Sequence, residues 1–182
     1  EFGLPIAPGT LRNLKKCPIG DRNWTDESRE LFIRLLASGP ALLNVWEDID
    51  FIDVPGKLIP EWLGVRNRPS ASAAHRYTID RHMVEVVTRL GRETPSGGRY
   101  DDRHYEALLL AGILHDIGKR PGVANHAAEG ARHATVVVER MGFDRDIVRW
   151  VTLLVREHLT LSEFATGRNP NDPNVGDDLA GR

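Results

Sequence analysis

The sequence predicts an all-α fold, and three observations support that prediction. Apolar residues recur at intervals of three and four in several segments, which is the period of one helix face. Residues that favour helix starts and stops bound these segments, and no polar–apolar alternation is long enough to predict a strand. A length of 182 residues with 41% hydrophobic and 27% charged residues is typical of one globular domain.

The first 60 residues predict a lead-in that is partly irregular and partly helical. Prolines and glycines are scattered through residues 1–24, so no regular element is expected there. A first helix is expected to begin at Thr25, an N-cap residue followed by two acidic residues, and to stop at Gly39-Pro40. A second, short helix is predicted over residues 41–49.

From Thr78, a predicted N-cap, the helical period is regular. Helices are predicted over 78–92, 102–117, 125–141 and 144–158, with a loop at 95–98. Residues 107–114 are apolar on all sides, which is typical of a helix in the centre of a bundle, and Gly118 is predicted to cap that helix. The predicted organisation is a lead-in over 1–60, a main domain over 61–166 and a polar tail over 167–182.

Composition excludes several classes of protein. The chain has 24 Lys and Arg against 26 Asp and Glu, so no DNA partner is expected from its charge. The longest apolar run is too short to cross a membrane, and no signal peptide is visible. A single cysteine, Cys17, favours a reducing, cytoplasmic location. The chain begins without methionine, and we expect it to be a piece of a longer cytoplasmic protein.

The chemistry is predicted to lie among the seven histidines, because the sequence has neither a nucleophile elbow nor a glycine-rich phosphate loop. His115-Asp116 follows the most apolar segment, so Asp116 is expected to be buried and to need a cation. A metal ion, a His–Asp pair or a bond to Lys119 would each satisfy it. If Asp116 is unpaired without metal, its replacement by alanine should cost little stability.

Three further histidines stand at predicted helix ends, where the elements of a bundle can converge on one metal site: His82, His126 and His158. His133 shares a helix face with His126 and is expected to have a core or surface role. His104 is expected to be a surface or core residue and not a ligand. His75 precedes its helix and is close enough in sequence to reach the same cleft.

Three strings carry a resemblance to a known family. They are His-Arg-Tyr-Thr-Ile-Asp-Arg-His at 75–82, Leu-His-Asp-Ile-Gly-Lys at 114–119 and Val-Arg-Glu-His-Leu at 155–159. Together they resemble the HD superfamily of metal-dependent phosphohydrolases, and in particular the HD domain of the bifunctional uridylyltransferase/uridylyl-removing enzymes. The similarity extends over roughly residues 31–173. It implies an HD-domain helical bundle over 61–166, preceded by the helical lead-in.

The resemblance also implies a metal centre that holds two divalent ions. Mn²⁺ is the expected metal, with Fe²⁺ and Mg²⁺ as alternatives. The ligands carried over from the family are His82, His115 and Asp116 for one ion and Asp116, His126 and His158 for the other, with Asp116 bridging. Asp116 and Lys119 are the implied catalytic residues. The implied substrate contacts are His75, Lys119 and Arg120.

The implied activity is removal of a nucleotidyl group, uridylyl or adenylyl, from a tyrosine of a PII-type nitrogen-regulatory protein. Nothing in residues 1–60 supplies the paired aspartates of the family's nucleotidyltransferase domain. Two alternatives remain open: an HD phosphohydrolase acting on free nucleotides, and a degenerate HD module that binds protein partners. Asn169 departs from the family pattern, because it stands where a further metal-binding aspartate is expected.

Overall fold

The protein is described from a computed structural model, which covers residues 5–18, 24–70, 76–91, 102–169 and 172–181. Over these ranges it is all-α, as predicted, apart from turns and one isolated antiparallel bridge between Pro69 and Thr78. The elements are α1 (Pro8–Lys16), α2 (Asp26–Leu36), α3 (Ala41–Phe51), α4 (Val54–Leu58), a 3₁₀ turn (Pro60–Gly64), α5 (Ile79–Leu90), α6 (Asp102–Leu114), α7 (His126–Arg140), α8 (Arg145–Arg156), α9 (Thr160–Gly167) and α10 (Pro173–Ala180).

The prediction that residues 1–24 are irregular is wrong, because α1 lies within them. Pro8 occupies the first helical position, where its missing N–H costs nothing. Leu11 and Leu14 pack against the core from one face of the helix. At the other end of the chain, the polar tail contains α10, whose first turn is capped by the Asp172 side chain.

Side-chain caps fix the starts of α2, α7 and α8. The side chain of Asn125 accepts a hydrogen bond from the backbone N–H of Ala128 at the start of α7. Asp144 caps α8 in the same way, and Thr25 caps α2. Thr78 stands at the N-cap of α5 as predicted, but its side chain makes no capping bond. The predicted loop at 95–98 lies outside the described residues.

The core is centred on α6, which packs between α5 and α8, while α7 packs on α8. Leu109, Leu110 and Ile113 of α6 are completely buried, as the apolar segment predicts. The same core includes Phe32 and Leu36 of the lead-in, so it is continuous across residue 60, and the predicted division there stays a prediction.

No helix in the described part of the chain is long and apolar enough to cross a bilayer.

A bidentate salt bridge between Glu61 and Arg140 connects the 3₁₀ turn to α7. The two guanidinium nitrogens of Arg140 lie 2.9 and 2.6 Å from the two carboxylate oxygens of Glu61. Burial would raise the pKa of Glu61, but the hydrogen bond from Arg140, a backbone hydrogen bond and the charge of Arg140 together outweigh burial, so the pKa is lowered. A lowered carboxyl pKa stabilises the folded chain above the unfolded pKa, and that stabilisation is lost as the pH falls through the folded value.

We therefore expect Glu61→Gln to lower the free energy of unfolding at pH 7 by about 0.5–1 kcal/mol, since the pair is partly exposed. The difference should shrink once the pH falls below about 4, where the glutamate itself protonates. Urea unfolding at several pH values measures it. Glu139→Gln, at an exposed position on α7, is the matched control and should change little. A Glu61→Gln deficit that does not depend on pH would contradict the assignment to the ion pair.

Candidate metal centre

Asp116 lies in the turn that follows α6, the described helix with the most buried residues, and is only 1% exposed. Its two oxygens face different groups. The Oδ2 atom lies 2.7 Å from Lys119 Nζ, 3.5 Å from His115 Nε2 and 3.9 Å from His82 Nε2. The Oδ1 atom lies 3.4 Å from His158 Nε2. One buried carboxylate is therefore shared between two sets of side chains.

Backbone carbonyls orient two of the imidazole rings. His115 Nδ1 lies 2.9 Å from the carbonyl oxygen of Gly112, and His158 Nδ1 lies 2.7 Å from that of Val155. A carbonyl can only accept a hydrogen bond, so Nδ1 carries the proton in both rings. In the neutral ring the lone pair is then on Nε2, the atom that faces Asp116. Acceptors that converge in this way favour a cation between them.

His126 completes the cluster from the first position of α7. Burial and the nearby Lys119 ammonium lower its pKa, which favours the neutral, metal-binding form. Among the described residues, Asp116 Oδ1, His126 Nε2 and His158 Nε2 are buried without a hydrogen-bond partner. Buried polar atoms are almost always paired, so these three atoms fit a bound metal ion.

The donor atoms form two groups that share Asp116. The members of each group, His82, His115 and Asp116 in one and Asp116, His126 and His158 in the other, have ligand atoms within 4.8 Å of one another. The structure therefore brings together all five residues that the sequence predicted as metal ligands. Imidazole nitrogens with a carboxylate oxygen suit a divalent transition metal.

Lys119 supplies a cation to Asp116 when no metal is bound. Burial by itself would raise the pKa of Asp116, but His115, His158 and Lys119 face the carboxylate and hold its pKa far below the ordinary value. The alternative of a bond between Asp116 and Lys119 is thus present in the structure. It does not exclude a metal ion, because it leaves Oδ1 and the orphaned histidine nitrogens unsatisfied.

The position of Gly118 differs from the sequence prediction. It does not cap α6, which ends at Leu114, and it is not among the described residues with positive φ. It lies where the turn touches α7: a Cβ on Gly118 would come 2.3 Å from both Gly130 N and His126 O. The glycine is required because two backbone segments meet there, and that contact fixes Asp116 relative to His126.

Two other histidines lie elsewhere. His133 Nε2 is 3.0 Å from Glu129 Oε1 on its own helix, and His104 stacks on Trp150 with ring centroids 4.2 Å apart. His75 lies outside the described residues. Asn169, two residues beyond α9, is exposed.

Two basic residues lie beside the cluster, one of which the sequence did not indicate. Arg120 lies next to the histidine cluster, and its Nη2 donates a hydrogen bond to the carbonyl oxygen of Glu61. Arg68 lines a cavity together with Arg120 and Lys119. No local sequence pattern indicates Arg68, because its position near the cluster depends on contacts between residues 68–69 and the start of α5.

Comparison with known proteins identifies relatives over nearly the whole chain. It is 38% identical over 176 residues to a bifunctional uridylyltransferase/uridylyl-removing enzyme of Streptomyces coelicolor, covering 95% of this chain and 20% of the relative. The enzyme of the same name from Mycobacterium tuberculosis is 36% identical, and the match covers 96% of this chain and 21% of the relative. The enzyme of the same name from Corynebacterium glutamicum is 29% identical, and the match covers 97% of this chain and 25% of the relative.

No protein-family model and no solved structure matches the chain. The chain spans about a fifth of the length of the curated relatives it matches. With its all-helical bundle and its buried cluster of histidines around one aspartate, the matched portion is consistent with an HD-type region. The chain is homologous to a segment of the bifunctional uridylyltransferase/uridylyl-removing enzymes.

Proposed function

We propose that this chain is a metal-dependent phosphodiesterase that removes a nucleotidyl group from a tyrosine of a PII-type regulatory protein. The observation that supports it best is the sharing of Asp116 between two groups of histidines. The names of the relatives include a uridylyl-removing activity, which makes a phosphodiester the favoured substrate. Free nucleotides and a purely protein-binding role remain the alternatives.

The proposed metal ligands are His82, His115, Asp116, His126 and His158. Divalent ions bound there, Mn²⁺ above all and otherwise Fe²⁺ or Mg²⁺, would polarise a phosphoryl oxygen and lower the pKa of a bound water. Backbone contacts hold the site in shape: carbonyl oxygens fix the rings of His115 and His158, and the close approach of Gly118 to α7 fixes Asp116 against that helix.

The reaction is a hydrolysis in which a water oxygen bonds to phosphorus and the bond from phosphorus to the tyrosine oxygen breaks. The products are a nucleoside monophosphate and a tyrosine hydroxyl, which takes up a proton. Because tyrosine has a pKa of about 10, its phenolate leaves without a strong general acid. Lys119 places an ammonium 2.7 Å from Asp116, where we propose that it also neutralises phosphate. His75 and Arg120 are the other proposed substrate contacts.

The direct test is hydrolysis by the purified chain with added Mn²⁺. We expect release of nucleoside monophosphate from a uridylylated or adenylylated PII protein, and loss of that release on addition of a chelator. His126→Ala should lower the rate by at least about 10–100-fold, the typical cost of disturbing a metal's surroundings. His104→Ala is the matched control, since His104 is exposed and stacks on Trp150 away from the cluster.

Other outcomes separate the alternatives. Hydrolysis of free nucleotides with no action on the modified protein would favour the general phosphohydrolase. Binding of Mn²⁺, seen as a raised melting temperature, without any hydrolysis would favour the module that only binds protein partners. An unchanged rate in His126→Ala would show that the cluster is not the active site.

Asn169→Asp is expected to tighten metal binding, on the basis of the resemblance. An aspartate would add one negative charge to a site whose ligands, apart from Asp116, are neutral imidazoles. We expect a gain of about 10–100-fold in the affinity for one Mn²⁺ and a higher hydrolysis rate. Calorimetric titration of Mn²⁺ into both chains measures it. Identical affinities and stoichiometries would mean that Asn169 is not at a ligand position.

A further inference from the structure

A cavity of about 570 Å³ opens beside the metal centre, within the size range of small-molecule sites. His126 and Lys119 belong both to its lining and to the surroundings of Asp116. A group bound in the cavity therefore lies next to the proposed reaction centre. The cavity is bounded by the segment 68–70 on one side and the turn 119–123 on the other.

The lining combines cationic side chains, which come from both sides of the cavity, with apolar ones. Arg68, Lys119 and Arg120 contribute cationic side chains, and no described lining residue carries a carboxylate. The apolar wall includes Ile79 and Val123. Cationic groups attract phosphate, and an apolar wall suits the face of a nucleobase, so this combination favours an anion that carries an apolar ring.

Both walls are held in place by hydrogen bonds. The backbone N–H of Ile79 donates to Arg68 O at 2.9 Å, and the buried carboxylate of Asp80 accepts from the backbone N–H of Asn67 at 2.8 Å. On the other wall, Arg120 Nη2 donates to Glu61 O at 2.8 Å. A preformed cavity of this kind binds a small ligand without first having to order its walls.

We propose that this cavity holds the nucleoside of the nucleotidyl group, with its phosphate turned toward Lys119 and the metal centre. This rests on the proposed function and adds the position of the substrate to it. The tyrosine side of the phosphodiester stays attached to a folded partner protein, which favours an approach from outside. The nucleoside is the half of the substrate that a cavity of small-molecule size can accept.

Val123→Trp tests the proposal by filling the cavity with a larger side chain. Leu161→Trp is its matched control, because Leu161 is 69% exposed and is not part of the lining. Titration calorimetry with UMP on the metal-free chain should show binding to the wild type and to Leu161→Trp. Val123→Trp should bind at least about tenfold more weakly, as expected when an apolar subsite is blocked.

A second variant tests the charge of the lining. Arg68→Glu should also weaken UMP binding, by about tenfold, whereas Arg149→Glu, at an exposed position of α8 outside the cavity, should not. Equal UMP affinity in all five chains would overturn the proposal. So would failure of the wild type to bind UMP at millimolar concentration.

A pair of aryl esters connects binding to catalysis. Uridine 5′-(p-nitrophenyl phosphate) and methyl p-nitrophenyl phosphate release the same phenolate, but only the first carries a nucleoside. With Mn²⁺, Val123→Trp should lower the ratio of kcat/KM for the uridine ester to that for the methyl ester by about tenfold or more. A ratio that stays the same would contradict a nucleoside site.

Two checks keep this test separate from the proposed function. The rise in melting temperature with Mn²⁺ must be retained in Val123→Trp, which shows that the metal cluster is intact. If the wild type hydrolyses neither ester and does not act on nucleotidylated protein, the proposed activity fails. The UMP titrations then still decide whether the cavity is a nucleotide site.

Discussion

Asp116→Ala is expected to abolish hydrolysis, with a fall in rate of at least about 100-fold. Loss of a group that only supports a metal ligand costs 10–100-fold, and Asp116 is shared by both histidine groups. The variant should also lose the melting shift that Mn²⁺ causes, because no carboxylate remains among the cluster's side chains. Retention of wild-type activity would show that the reaction does not use this cluster.

The same variant is expected to lower stability in the absence of metal. The sequence alone favoured the opposite, because an unpaired buried carboxylate is unfavourable. In the structure Asp116 is paired with Lys119 and faced by His115 and His158. Removing it leaves the ammonium of Lys119 without its anion, at a cost of about 3–5 kcal/mol. Thermal unfolding in the presence of a chelator measures the loss.

A double variant separates the ion pair from the cavity left by the missing side chain. If the unpaired ammonium is the cause, Asp116→Ala combined with Lys119→Met should recover part of the lost stability. Lys119→Met alone is expected to destabilise the metal-free chain, since it leaves Asp116 without its nearest cation. Strictly additive losses in the double variant would assign the effect to packing instead.

Gly118→Ala is expected to have the largest effect of any small substitution in the turn. Its Cβ would meet backbone atoms of Gly130 and His126 at 2.3 Å, and backbone cannot move aside as a flexible side chain can. Forced overpacking of this kind costs about 3 kcal/mol or more. Because the contact joins the Asp116 turn to α7, metal binding should weaken together with stability.

Gly167→Ala is the matched control, since a Cβ there meets nothing within 4 Å and the residue ends α9. Alanine is the better helix former, so this change should be neutral or stabilise by about 0.5–1 kcal/mol. Melting temperatures with and without Mn²⁺ compare the two variants. A folded Gly118→Ala chain with an unchanged Mn²⁺ shift would contradict the proposed role of the contact.

The sequence by itself determined the fold class and the position of most helices. Helical period and capping residues are local properties, and they predicted the starts of α2, α7 and α8 correctly. The apolar segment before His115 predicted that Asp116 would be buried. The sequence analysis missed α1, α4, α9 and α10. Of these, α1 had a local signal, with Pro8 at its start, leucines at helical spacing and Lys15 and Lys16 in its last turn.

Only the tertiary structure decided how groups distant in sequence meet. The contact of Gly118 with α7 and the approach of Arg68 to the same cavity as Lys119 depend on where the turn after α6 and residues 68–70 are placed. A local pattern carries no information about such distances. Side chains from separate elements converge on Asp116 only because the packing of α5, α6, α7 and α8 around one core sets where each helix ends.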